Sequence, residues 1–190
     1  FNRLLLAAGL DWRQISLVRA FARYMKQLTF QFGEGYIADT LFNNSAITAQ
    51  LVTYFEQRFD PGPGVDNALR DSRESSCREQ ILASLDQVIS LNEDRVLRHF
   101  YTLIGATLRT NYFQTGADGD FKNYMALKIN TRAIDEAPLP RPEYEIFVYS
   151  PRMEGVHLRG GKVARGGLRW SDRYEDFRTE VLGLVKAQQV

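Results

Sequence analysis

The chain has 190 residues, 24 Lys plus Arg against 23 Asp plus Glu, and 44% apolar side chains. That is enough for one sizeable core with the composition of an ordinary globular protein, and a net charge of +1 gives no electrostatic reason to expect nucleic acid. The single cysteine, Cys77, excludes an internal disulfide framework and has no Cys or His neighbour at zinc-ligand spacing, so no metal is expected and a cytoplasmic location is.

No apolar run approaches the roughly 18 residues of a membrane helix, and no charged-then-apolar leader opens the chain. Phe1 is not an initiator methionine, and "LVKAQQV" stops amid a helical pattern, as in a segment cut from a longer polypeptide.

The first strong periodicity predicts a helix from Asp11 to about Thr29, with Asp11 as cap and Ile15, Val18, Phe21, Ala22, Met25 and Leu28 along one face. "GEGYIADTLF" predicts a shorter helix, and Ser45 to Phe59 a third with Leu51, Tyr54 and Phe55 inward; "DPGPG" at 60–64 ends it. A long helix follows over Asn67 to Ser90, carrying Ile81, Leu82, Leu85, Val88 and Ile89. Asn92 is the expected N-cap of the next, "EDRVLRHFYTLIGATLRTNYF", with acids in its first turn where the helix dipole favours them.

At "QTGADGD", 114–120, helical period gives way to turn chemistry and short β-like runs. "NYMALKIN", "YEIFVYS", "GVHLRG" and "VARGGLRW" predict four strands. Ser171 or Asp172, with Glu175, resembles a capping box for a last helix bearing Phe177, Val181, Leu184 and Val185. The expected fold class is α+β: an N-terminal helical module, residues 1–116, followed by a partial α/β domain, residues 117–190, of about four short strands and a C-terminal helix.

The chemistry concentrates in "GGKVARGGLRWSDRYEDF", 160–177, where four glycines and four basic side chains precede the last helix. If residues 156–170 ran as one extended chain, His157, Arg159, Arg165 and Arg169 would share one face, and Val156, Leu158, Ala164, Leu168 and Trp170 the other. Glycines beside an arginine let a ligand reach backbone N–H groups while the guanidinium grips a carboxylate through two parallel bonds. A small carboxylate or phosphate fits, and so does a glycine-kinked edge strand with solvated arginines; the residues alone leave both open.

Other candidates reduce to ordinary roles. The P-loop spacing fails after Gly160, where Gly161, Lys162 and Val163 follow, and no G-x-G-x-x-G occurs, so no dinucleotide site is recognisable. His99 lies in an apolar helical run and reads as structural. His157 has no nucleophile–base–orienter chain nearby. Cys77, amid basic neighbours, reads as a helix-surface thiol, and Trp12, Phe21, Tyr54, Phe55, Phe100 and Tyr101 fall at helical spacings as core.

The run "PRMEGVHLRGGKVARGGLRWSDRYEDFRTEVLGLVKAQQV", 151–190, resembles the start of the catalytic region in the large-subunit class of bacterial NAD-specific glutamate dehydrogenases. More loosely, it is similar to the Lys-Gly-Gly-aliphatic-Arg segment of the small-subunit class. The resemblance implies that Arg165, Gly166, Gly167 and Arg169 form the first substrate-contacting segment. Arg165 then stands where the small class carries a lysine that grips the substrate's side-chain carboxylate, Gly166 and Gly167 line the pocket floor, and Arg169 is either a contact or tied to an acidic neighbour.

It further implies oxidative deamination of L-glutamate to 2-oxoglutarate and ammonia in a homo-oligomeric parent enzyme. No catalytic residue would lie in this chain, since the family's catalytic lysine follows the last helix, and NAD would be bound by regions outside it. The alternative is a non-catalytic regulatory or oligomerisation module that binds a small anionic metabolite.

Overall fold

A computed structural model describes residues 1–62, 66–170 and 176–188. It is α+β, with helices first, then a five-stranded antiparallel sheet, then a C-terminal helix. The chain divides into two compact units, residues 1–19 with 32–104 and residues 20–31 with 105–190.

The first unit is helical: α1 (Leu4–Ala7), the start of α2 (Trp12–Gln27), α3 (Glu34–Asn43), α4 (Ser45–Phe59), α5 (Asn67–Leu85) and most of α6 (Leu91–Ala106). Asp11 caps α2 as expected. Its Oδ1 accepts from the backbone N–H groups of Arg13 and Gln14, both at 2.8 Å, and Gln14 Oε1 accepts from the Asp11 N–H at 3.0 Å, a reciprocal capping box. The predicted inward residues Ile15, Leu51, Tyr54, Phe55, Ile81 and Leu85 are buried, as is His99.

Several local expectations are corrected. α5 ends at Leu85, and Ile89 is fully exposed. Ser90 supplies the hydroxyl that accepts from Glu93 N–H at 3.4 Å, while Asn92 lies inside α6. Trp12 is exposed because it opens α2 on the helix's outer side, and Cys77 is buried where α5 meets α4, its Sγ 4.0 Å from the Gln50 carbonyl. α6 stops at Ala106, because Thr107–Thr110 forms strand β1; two β-branched residues and a partner strand override the continuing helical period.

The second unit holds the meander β1, β2 (Met125–Ile129), β3 (Tyr144–Ser150), β4 (Met153–Gly160) and β5 (Val163–Arg169), and then α7 (Phe177–Gln188). β2 to β5 are the four expected strands. Period-2 alternation puts Leu127, Ile129, Phe147, Val156 and Leu158 on one buried face. Residues 20–31 cover that face at Tyr24, whose ring lies 5.3 Å from Phe147, and α7 covers it with Phe177, Val181, Leu182 and Val185 against Val156 and Leu158. Leu182 is the buried leucine of α7, and the predicted Leu184 is exposed, because the helix's inward arc passes one residue pair earlier. The cap expected at Ser171 or Asp172 with Glu175 lies outside the described residues.

Candidate functional site

The glycine and arginine segment forms edge strand β5 and its hairpin with β4. The turn is Gly161–Lys162, with Gly161 at φ +62°, a conformation that favours glycine, and Gly160 pairs with Val163 across it. This two-residue reversal sets the register His157↔Gly166, Leu158↔Arg165 and Val156↔Gly167, so odd residues of β4 oppose even residues of β5. Directly opposed residues share a face.

The expected grouping of basic residues is therefore split. His157 and Arg159 lie on the open face with Ala164, Gly166 and Leu168. Arg165, Gly167 and Arg169 lie on the face of Glu154, Val156 and Leu158, toward α7. Alternation along one extended chain does not survive a reversal in its middle.

The two central glycines have different surroundings. A Cβ on Gly166 would sit 2.6 Å from the Val156 carbonyl oxygen and 3.0 Å from His157 Cα, so packing against β4 alone demands glycine there. A Cβ on Gly167 would meet nothing closer than the Phe177 ring, at 3.6 Å and 3.8 Å, which is ordinary contact. Neither has positive φ. The bare backbone at Gly167 is thus not explained by packing.

The arginines also differ. Arg169 Nη1 bonds Asp176 Oδ1 at 3.0 Å, its Nη2 pairs with Glu180, and its guanidinium lies 4.8 Å from the Phe177 ring centre. Arg165 is exposed, donates to its neighbour's Ala164 carbonyl at 3.4 Å, and forms no ion pair among the described residues. A guanidinium with no ion pair among the described residues, two residues from a glycine on one face of an edge strand, can receive a carboxylate.

Beneath this strand lies a buried polar cluster that no sequence motif announced. Arg178, near the start of α7, is wholly buried and grips Glu145 of β3 with Nε at 3.1 and 2.9 Å and with Nη2. Tyr24 donates its hydroxyl to Glu145 Oε2 at 2.7 Å. Within the second unit Gln27 ties residues 20–31 to α7 and β4, its Oε1 accepting from Arg178 N–H at 2.9 Å and its Nε2 donating to Glu154 Oε2 at 2.8 Å, and Arg23 pairs with Glu154 at 2.5 Å. Burial and the Glu145 charge push the Tyr24 hydroxyl well above its usual range. Burial, the largest influence on Arg178, opposes its charge, yet the bonds and charge of Glu145 leave its pKa raised. The period-2 alternation did place Glu145 and Glu154 on the inward face; that was the available signal.

Among the described residues no group of acids, His and Cys could hold a metal ion, and no helix is long and apolar enough to cross a membrane.

Residues 80–190 match the family model described as bacterial NAD-glutamate dehydrogenase, catalytic domain, and residues 1–61 match glutamate dehydrogenase, helical motif 3. NAD-specific glutamate dehydrogenases of Halomonas elongata and Pseudomonas aeruginosa are each 56% identical over the whole chain, and that of Mycobacterium tuberculosis is 52% identical. The chain spans about 12% of the length of these curated relatives. By the match of its larger part and its identity to these proteins, the chain belongs to the bacterial NAD-glutamate dehydrogenase family.

Proposed function

We propose that this chain is the substrate-holding segment of a longer NAD-dependent glutamate dehydrogenase, which deaminates L-glutamate oxidatively to 2-oxoglutarate and ammonia in the cytoplasm as a homo-oligomer. The observation that carries the reading is the pairing of Arg165 with Gly167 on one face of β5: one guanidinium without an ion pair among the described residues, and one glycine that packing does not require.

In this reading Arg165 binds a substrate carboxylate through its planar fork, and Gly167 lets the ligand approach the backbone without a Cβ between them. Gly166 serves the hairpin by lying under His157. Arg169, held by Asp176 and Glu180, keeps β5 against α7. Holding the acid at a fixed distance and angle is this segment's share of the reaction. NAD, bound by chain outside residues 1–190, would accept the hydride from the substrate's α-carbon.

Replacing Arg165 with alanine in the full-length enzyme tests the assignment. The apparent KM for glutamate should rise by about tenfold or more, as expected when a charge-assisted bond to substrate is lost. An unchanged KM would remove Arg165 from the pocket.

A further inference from the structure

We propose that the buried Glu145–Arg178 pair is a positioning device for the ligand face of β5, setting the rotation and height of α7 so that Phe177 stays against Gly167 and Asp176 and Glu180 stay on Arg169, which leaves Arg165 without an ion pair among the described residues. The inference rests on the reading of Arg165 and Gly167 as ligand contacts. Arg178 and Glu145 themselves touch no ligand.

The geometry is a chain of fixed contacts. Glu145, in the middle strand β3, is held by three bonds from Arg178 and one from Tyr24. Arg178 is the second residue of α7, and its backbone N–H is also taken by Gln27. The residues on either side of it on the helix's first turn are those that meet β5: Phe177 against Gly167, and Asp176 and Glu180 on Arg169. One helical residue is 100° of rotation and ~1.5 Å of rise. A fraction of that motion would shift the Phe177 ring on Gly167 and loosen Asp176 or Glu180 from Arg169, and either acid could then reach for another guanidinium on the same face.

The hydrophobic seam opposes a full one-residue slip, because Phe177, Val181, Leu182 and Val185 would turn away from Val156 and Leu158, but such contacts are non-directional and leave smaller rotations and shifts of α7 weakly resisted. A bidentate ion pair in a dry interior has one geometry, and a misplaced partner leaves a buried charge unpaired. Stability gives no reason for the pair, because well-packed apolar replacements of buried ion pairs are often neutral or stabilising. Arg178 Nη1, moreover, bonds to nothing among the described residues, so the cluster is not optimised for stability.

That difference supplies the experiment. In the full-length enzyme the triple variant Tyr24→Phe, Glu145→Leu, Arg178→Met removes the polar cluster without stranding a charge. It should unfold no more easily than the parent, yet show an apparent KM for glutamate raised about tenfold, with kcat altered less than about threefold. Arg178→Lys, which keeps the charge and loses the fork, should fall between them, as a purely structural role would not require. If the triple variant keeps the parent's stability and KM, the positioning role is wrong. If it is destabilised, Arg178→Lys decides: a parental KM in that folded variant overturns the proposal and a raised one supports it. Arg165→Ala separates the two ideas, because a raised KM there with an unchanged KM in the triple variant sinks only the positioning role, whereas an unchanged KM in Arg165→Ala sinks the ligand face itself.

Discussion

Adjacent glycines that face opposite sides of one strand should respond oppositely to the same added methyl group. In Gly166→Ala the new Cβ would lie 2.6 Å from the Val156 carbonyl oxygen and 3.0 Å from His157 Cα, both backbone atoms of β4 that cannot move without opening the hairpin. Overpacking of this kind costs about 3 kcal/mol, at the upper end of small-to-large substitutions. In Gly167→Ala the nearest atoms are at 3.6 and 3.8 Å, and the backbone conformation suits alanine, so the change should be neutral or stabilise by about 0.5 kcal/mol through the unfolded chain. Amide hydrogen exchange of the peptides spanning β4 and β5 in the full-length protein reads both. Gly166→Ala should lose about a hundredfold in protection, since ~1.4 kcal/mol is a factor of ten, and Gly167→Ala should lose none. Protection within threefold of the parent in Gly166→Ala, or equal losses in both variants, would refute the packing distinction. If Gly167→Ala keeps its protection, its glutamate kinetics test the proposed approach of ligand at Gly167, and a raised KM is the expected result.

Two further outcomes follow from the helical unit. Asp11→Ala removes both side-chain bonds to the first turn of α2 and should cost about 1 kcal/mol, visible as faster exchange at Arg13 and Gln14, while Asp11→Asn should recover most of it. Burial, with the Glu74 charge, pushes the Cys77 thiol up, so the folded state favours the protonated form. Its stabilising effect is complete below the unfolded thiol's pKa of about 8.5 and is lost as pH rises through the higher folded value. Urea midpoints should therefore fall more steeply above that pH in the parent than in Cys77→Ala, and equal slopes would refute the assignment.

Helices α2 to α7 were legible because their apolar faces repeat at helical spacing, and Ser45–Phe59 matches α4 residue for residue, whereas α1 is a single turn too short to show a period. The four strands were legible from alternation, but β1 was not, since Thr107–Thr110 continues an amphipathic run and only its pairing with β2 makes it extended. The face assignment of the basic residues failed for a geometric reason. Local alternation holds within a strand, and Gly161–Lys162 reverses the chain between Arg159 and Arg165, so their shared odd numbering places them on opposite faces. Arg178 was invisible because its partner Glu145 lies 33 residues away on another element.

The charges on the covered face explain why recognition would fall to Arg165. Glu145 is held by Arg178 and Tyr24, Glu154 by Arg23 and Gln27, and Asp176 and Glu180 by Arg169. For the buried acids this pairing is obligatory, because an unpaired carboxylate in a dry interior is far too costly to keep. Arg165, without an ion pair among the described residues, is under no such constraint: on an exposed edge strand water can solvate its charge at little cost. Two residues of strand place it about 7 Å along from Gly167, a separation that an acid with a carboxylate at one end and a reacting carbon a few bonds away can bridge. The interior's demand for neutrality is thus met at Glu145 on β3 and Glu154 on β4, and the ligand's demand for an open charge at Arg165 on the exposed edge strand β5.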